Sequence, residues 1–126
     1  MKKQDLVDAV ERRDHDAARQ ALEAGVNPDA ADRLGVTVLV RAAGQGDQDM
    51  VQLLLDHGAQ VDKSSDQGNT PLMLAAARGH ADVVQQLLQA GADPQKRNKW
   101  GFGPDEWGQW PENTRDIRAM LAEAQN

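Results

Sequence analysis

The chain contains no cysteine and no tyrosine, and its aromatic residues are one phenylalanine and three tryptophans among 126 residues. The lack of cysteine excludes disulfides, thiolate nucleophiles and Cys-ligated zinc, and it leaves the redox compartment open. Because so little of the apolar mass is aromatic, it consists mainly of Ala, Val and Leu, whose small side chains let helices approach closely. The length is that of one domain.

Positive charge and long hydrophobic runs are also scarce. The 14 basic residues stand against 20 acidic ones, which gives a net charge of −6, and such a chain repels phosphate backbones. Acidic residues Asp5 and Asp8 interrupt the segment after Lys2 and Lys3, which argues against a signal peptide, and no run is long enough to cross a membrane. We therefore expect a cytoplasmic protein without nucleic-acid or membrane partners.

A shift of 33 residues superimposes most of the chain on itself. Several glycines and leucines recur at this spacing: Gly25, Gly58 and Gly91; Leu22, Leu55 and Leu88; Leu6, Leu39 and Leu72. The period divides one domain, residues 1–126, into units of approximately 1–33, 34–66, 67–99 and 100–126.

The unit at residues 68–93 predicts two antiparallel helices. Thr70 is a good N-cap and Pro71 suits the first helical position, whereas Gly79 permits the positive φ of a tight reversal. In the second helix the apolar residues form one stripe against a polar face. The stripe contains Val83, Val84, Leu87 and Leu88, and the polar face contains Asp82, Gln85, Gln86 and Gln89.

This unit, from Gly68-Asn69-Thr70-Pro71-Leu72 to Ala90-Gly91-Ala92-Asp93, strongly resembles the ankyrin repeat. The resemblance implies an all-α solenoid of about four stacked helix-turn-helix units, two internal repeats between two degenerate caps, with projecting hairpin-like loops. It also implies that His80 helps to order the turns between repeats. The second unit departs from the family pattern, because Val38 and Val40 replace its proline and histidine.

The two end units are modified in ways that suit caps, because terminal repeats need a polar outer face. At the N-terminus, residues 4–12 and 16–24 predict a helix pair without a preceding loop. In the last unit, Asp105, Glu106 and Gly108 replace the residues that match Leu72, Met73 and Ala75, so its first helix is expected to be short or irregular. Asn113 then offers an N-cap for a closing helix with Ile117, Met120 and Leu121 in the apolar register.

Catalytic and metal-binding patterns are missing from the sequence, so we expect no enzyme, no cofactor and no metal. The histidines His15, His57 and His80 lack metal-ligand spacing and pair with no nucleophile. His15 and His57 are expected to face solvent, and the carboxylates to lie on polar helix faces and loops. An enzyme would require an unrecognised carboxylate site at residues 101–109, around Asp105 and Glu106.

Ankyrin proteins commonly bind partners through the loop tips and the exposed side of each first helix, which together form one strip. The resemblance implies that the matching positions of this chain form such a strip. In the second unit these are Arg33, Leu34, Val36 and Gln45. In the third they are Asp66, Gln67, Asn69, Ala77 and Arg78. In the fourth they are Arg97, Lys99, Trp100, Phe102 and Trp110.

All the aromatic residues of the chain fall within eleven residues of the last unit, namely Trp100, Phe102, Trp107 and Trp110. They either bury area against a partner or seal the end of the core. Trp107 and Trp110 fit the core cap better, and the choice stays open for Trp100 and Phe102. The same loop carries Lys96, Arg97 and Lys99, which either steer an acidic partner or form a solvated loop, and the solvated loop is the more economical interpretation.

The sequence thus predicts a monomeric protein–protein interaction module, an adaptor or an inhibitor, whose partner it does not identify. A narrower form is an immunity-type inhibitor of a toxin, in which an acidic domain plugs a basic active site. A structural or homo-oligomeric role through the C-terminal tryptophans is the alternative from a different class.

Overall fold

A computed structural model describes residues 1–104 and 114–125. Within these ranges the chain forms seven helices, joined by loops whose one β-type contact is an isolated antiparallel bridge between Ala31 and Thr37. The helices are α1 Lys3–Arg12, α2 His15–Glu23, α3 Val38–Gln45, α4 Gln48–Asp56, α5 Pro71–Ala77, α6 Ala81–Gln89 and α7 Thr114–Gln125. The all-helical repeat fold predicted from the sequence is confirmed.

The third helix pair begins and reverses where the sequence indicates. Oγ1 of Thr70 accepts the backbone N–H of Met73 at 3.3 Å, so it caps α5, and Pro71 occupies the first helical position. Gly79 has φ +75° and turns the chain into α6. The second pair uses the same cap, because Oγ1 of Thr37 accepts the N–H of Val40 at 3.2 Å.

The helices stack in two layers. The first helices α1, α3 and α5 pack side by side in one layer, and the second helices α2, α4 and α6 pack in the other. Each second helix also packs against the first helix of its own pair. Neighbouring pairs therefore bury stripes that no single pair could cover.

The core between the layers consists of residues one repeat apart. Leu6, Leu39 and Leu72 are at most 1% exposed, and Leu54 and Leu87 are fully buried. The alanines of α3 and α5 fill the space between the helices, where small side chains permit close approach. In α6 the predicted stripe is buried except for Leu88, which is half-buried.

The two ends of the stack differ. Helices α1 and α2 form the expected N-terminal pair, with exposed charged residues on its outside. At the other end α7 packs on α6 and buries Ile117 and Leu121, in agreement with the predicted closing helix. The predictions for Asp105, Glu106, Trp107, Trp110 and Asn113 fall on residues 105–113, which lie outside the described residues. None of the described helices has the length and apolar character needed to span a bilayer.

Candidate protein-binding surface

Three loops follow the second helices, and we call them the first finger (residues 24–37), the second finger (57–70) and the third finger (90–103). One polar residue organises each fingertip, and Asp32, Ser65 and Asn98 occupy the same repeat position. Oδ1 of Asp32 accepts the backbone N–H groups of Leu34 at 2.9 Å and Val36 at 3.0 Å. Oδ1 of Asn98 accepts the two corresponding N–H groups of the third finger at 2.9 and 3.0 Å. These bonds give the first and third fingertips the same shape.

Backbone hydrogen bonds tie each fingertip to the next. The N–H of Asp66 donates to the carbonyl of Gly35 at 3.2 Å, and the N–H of Lys99 donates to the carbonyl of Gln67 at 2.9 Å. Gly35 has φ +76°, and an added Cβ there would collide with the carboxylate of Asp66. Glycine at this position is therefore favoured by the turn, whereas the exposed carboxylate of Asp66 could move aside from a larger residue.

A second set of bonds joins the fingers near their helical ends. Oδ1 of Asp29 accepts the N–H of Gln60 at 2.9 Å, and one repeat later Oδ1 of Asp62 accepts the N–H of Asp93 at 3.0 Å. Because both ends of the fingers are held, little backbone ordering is required when a partner binds, and this lowers the entropic cost of binding.

Apolar side chains are exposed on the outer fingertips. Leu34 is 72% exposed, Trp100 63% and Phe102 47%, and together with Met1 they are the exposed large hydrophobic residues of the described chain. Leu34 and Trp100 lie at the same repeat position, and Gln67 occupies it on the finger between them. Two apolar tips thus flank a polar one.

A groove of about 280 Å³ lies between helices α3 and α5 and the second finger. We call it the middle groove. Its apolar wall comes from Val36, Val40, Gly44 and Leu74. Its polar wall comes from Arg41, Gln45, Ser65, Gln67, Asn69 and Arg78. The lining contains two cations and no carboxylate.

A neighbouring groove of about 340 Å³ between α1 and the first finger contains the ion pair that orients Arg41. Nη2 of Arg41 lies 2.8 Å from Oδ2 of Asp32, and Glu11 lies at 4.0 Å. Burial by itself would raise the pKa of Asp32, but hydrogen bonds from Val36, Arg41 and Leu34 outweigh it and lower the pKa below its ordinary value. The carboxylate therefore stays charged and fixes the guanidinium at the border of both grooves.

The structure brings the predicted strip residues of the second and third units together around the middle groove. Five of them line it, namely Val36, Gln45, Gln67, Asn69 and Arg78. Arg33 and Leu34 line the neighbouring groove, and Asp66 is exposed on the second fingertip. Oδ1 of Asn69 accepts a bond from Nδ2 of Asn98 at 3.0 Å, so Asn69 also links two fingers.

The third finger presents the remaining predicted residues. Arg97, Lys99, Trp100 and Phe102 are all exposed there, and Nη1 of Arg97 donates to the carbonyl of Gly101 at 3.1 Å. The exposure expected of Ala77 is wrong. Its side chain is only 9% exposed, because it lies at the repeat position of Gly44, where α3 and α5 meet.

Sequence reasoning missed five groove residues, namely Val40, Arg41, Gly44, Ser65 and Leu74. Arg41 and Leu74 lie one repeat apart, and Asp8 occupies the same position in the first unit. This repeat position holds an acid in the first unit, a base in the second and a leucine in the third, whereas nearby positions keep leucine or alanine in successive units. Such variation between repeats indicates that the position lies on an exposed face. That variation was the available signal.

His15 is half-buried and its side chain keeps 39% exposure, so the expected solvent exposure holds in part. The expectation that the carboxylates lie on polar helix faces and loops is wrong for Asp47, which is buried. Asp47 is 3% exposed, and its two carboxylate oxygens lie 2.8 and 2.9 Å from Nε2 of His15. His57 is exposed as expected. Nε2 of His80 lies 3.0 Å from the carbonyl of Gly44, so His80 joins the second and third units as the resemblance implied.

No cluster of three or more His, Asp or Glu side chains in residues 1–104 and 114–125 is placed to hold a metal ion. A groove on the second-helix face is lined by His15, Arg19, Asp49, Gln52, Leu53 and Asp56, but His15 there is bonded to Asp47. We find no nucleophile next to a base in these ranges.

Stacked helix pairs with hydrogen-bonded loop tips define a helical-repeat protein of the kind that presents one long face to a partner. The family model for ankyrin repeats matches residues 6–98 as three copies, and the chain belongs to the ankyrin-repeat family. Ankyrin repeats are generally protein–protein interaction modules and are typically not enzymes. No curated protein matches the chain.

Proposed function

We propose that this chain is an adaptor or inhibitor that binds one protein partner along its fingers and the middle groove. The observation that carries the proposal is the exposure of Leu34 and Trp100 at the same repeat position, on fingers held by hydrogen bonds. Apolar and aromatic side chains on a rigid frame are favoured at binding hot spots, because they bury much area and lose little entropy.

The spacing of the two tips limits the shape of the partner. Neighbouring helices pack about 8–10 Å apart, so tips two repeats apart are separated by roughly 20 Å. An extended segment of about six residues covers that distance. Leu34 and Trp100 are therefore proposed to hold two anchor points on one extended segment or one edge of a partner.

The experiment compares three tagged variants in a native lysate, with captured proteins quantified by mass spectrometry. Leu34→Ala and Trp100→Ala remove the two tips, and Gln85→Ala is the matched control on the exposed face of α6. Loss of a hot-spot side chain costs about 2 kcal/mol, so each tip variant should weaken the same partner about thirtyfold. All three variants must show the wild-type circular dichroism spectrum.

A partner that all three variants retain would place binding elsewhere and contradict the proposal. If only Trp100→Ala loses the partner, the binding surface is confined to the third finger. If both tip variants lose it, the binding surface extends from the first finger to the third, as proposed.

We also propose that residues 1–126 act as one domain and as a cytoplasmic monomer. The homo-oligomeric alternative predicts a mass above that of one chain in sedimentation equilibrium, reduced by Trp100→Ala. The distribution of charge does not favour the toxin-inhibitor alternative through this strip, because the middle groove contains arginines and a basic active site would repel them.

A further inference from the structure

Acidic residues predominate on the second helices, whereas the fingers and first helices carry charges of both signs. Exposed acidic residues are spread over the second helices, namely Asp16, Glu23, Asp49, Asp56 and Asp82. The fingers and first helices carry the basic residues Arg33, Arg41, Arg78, Arg97 and Lys99, together with acidic residues on α1 and on each finger. A chain with a net charge of −6 thus presents cations on the face proposed to bind a partner.

The acidic residues on the finger side lie outside the lining of the middle groove. Asp5, Asp8 and Glu11 lie on α1, and Asp32 is bonded to Arg41. Asp29 and Asp62 accept backbone N–H groups of the next finger, Asp93 lies at the base of the third finger, and the carboxylate of Asp66 lies over Gly35. None of them lines the middle groove. Anionic groups are therefore attracted to this groove and repelled by much of the remaining surface.

The two arginines of the groove have different roles. Arg41 is held by its 2.8 Å contact with Asp32, which uses one of five guanidinium donors, and its side chain is 37% exposed. Arg78 is exposed, and no carboxylate of the described residues lies within ion-pair distance of it. One cation is thus already oriented, and the other has no carboxylate partner among the described residues.

The apolar wall of the groove makes the site selective for a side chain rather than for a free ion. Val36, Val40 and Leu74 contact the same space as the two arginines. The methylene groups of a glutamate or aspartate side chain can pack on this wall while its carboxylate accepts hydrogen bonds from guanidinium donors. Gly44 lies in the floor of the groove and leaves room that a larger side chain would fill.

We propose that the middle groove binds an acidic side chain of an extended peptide segment in the partner, with its carboxylate held between Arg41 and Arg78. This inference rests on the proposed function, because it names the chemistry of the partner at the same strip. The acid-free lining, and an exposed Arg78 that forms no ion pair within residues 1–104 and 114–125, support it through charge complementarity.

The test selects peptides of about twelve random residues, displayed on phage, against the immobilised protein. The variants are Arg78→Gln and its matched control Arg19→Gln, which removes the same charge from the second-helix face. We expect Asp and Glu to be enriched several-fold by the wild-type protein and by Arg19→Gln, but not by Arg78→Gln. A selected acidic peptide should bind Arg78→Gln about tenfold more weakly in fluorescence anisotropy, because charge-assisted hydrogen bonds are among the stronger ones.

The proposal is overturned if selected peptides show no enrichment of acidic residues, if Arg78→Gln keeps the enrichment, or if no peptide is selected. Its failure differs from failure of the proposed function. Peptides without acid enrichment that still require Leu34 and Trp100 would keep the proposed function and remove the acidic site. Peptides indifferent to Leu34, Trp100 and Arg78 alike would remove both.

Discussion

Nε2 of His15 lies 2.8 Å from Oδ1 and 2.9 Å from Oδ2 of Asp47, so the first helix pair is bonded to the residue that begins α4. Asp47 is also the N-cap of that helix, because its Oδ1 accepts the N–H of Met50 at 3.2 Å. Arg13 lies 3.6 Å from the same carboxylate. One buried acidic side chain therefore starts a helix and joins two repeats.

Replacing Asp47 with alanine should cost more stability than replacing its counterpart one repeat earlier. Asp14 is exposed and caps α2 by accepting the N–H of Ala17 at 3.1 Å, so Asp14→Ala removes only a cap, worth about 1 kcal/mol. Asp47→Ala also leaves His15 without its partner, and its free energy of unfolding should fall by about 2–3 kcal/mol. Urea denaturation measures both, and equal losses would show that the contact with His15 adds nothing.

The ion pair of Asp32 with Arg41 should make stability depend on pH. Since hydrogen bonds lower the pKa of Asp32 in the folded state, its charge stabilises the protein above the ordinary pKa of aspartate, and this contribution is lost as pH falls through the folded pKa. Asp32→Asn keeps an amide oxygen for the fingertip, as Asn98 does in the third finger, but it replaces the charged acceptor of Arg41 with an amide N–H donor. We expect a loss of about 1 kcal/mol at pH 7 that shrinks with acidification. A loss that does not change with pH in urea titrations would contradict this account.

Gly46→Ala should destabilise the protein through its contact with His80. Gly46 has φ +70°, and an added Cβ would lie 2.6 to 2.9 Å from three atoms of the His80 ring. The ring would have to move away from the carbonyl of Gly44, so we expect a loss of about 2–3 kcal/mol in the wild-type background. In a His80→Ala background only the backbone strain remains, about 1 kcal/mol. A double-mutant cycle by urea denaturation tests this, and zero coupling would exclude the steric cause.

Gly44→Ala should have the opposite effect. Gly44 lies inside α3, and an added Cβ would meet Leu74 at 3.6 and 3.8 Å and Arg78 at 3.9 Å, which are ordinary contacts. Alanine is favoured over glycine within a helix by about 1 kcal/mol, so the midpoint of thermal unfolding should rise by a few degrees. A fall in the midpoint would mean that α3 and α5 are packed too closely at this position to accept a methyl group.

Much of the fold could be predicted because local signals agree with the period. Thr70 and Pro71 at a helix start, Gly79 at its reversal and the stripe around Leu87 all act within one unit. A shift of 33 residues then places each unit beside the next. Register did not predict the burial of Ala77, since burial between two helices depends on how closely they approach.

The amino-acid sequence by itself determined the helix pairs, their apolar stripes and the ankyrin repeat, because these depend on neighbouring residues and on a fixed spacing. Tertiary structure decided which polar side chains meet across repeats. The bonds of His15 with Asp47 and of Asp32 with Arg41 join groups 32 and 9 residues apart. Repeat spacing alone does not indicate such contacts, since they depend on the angle and distance at which whole helix pairs stack.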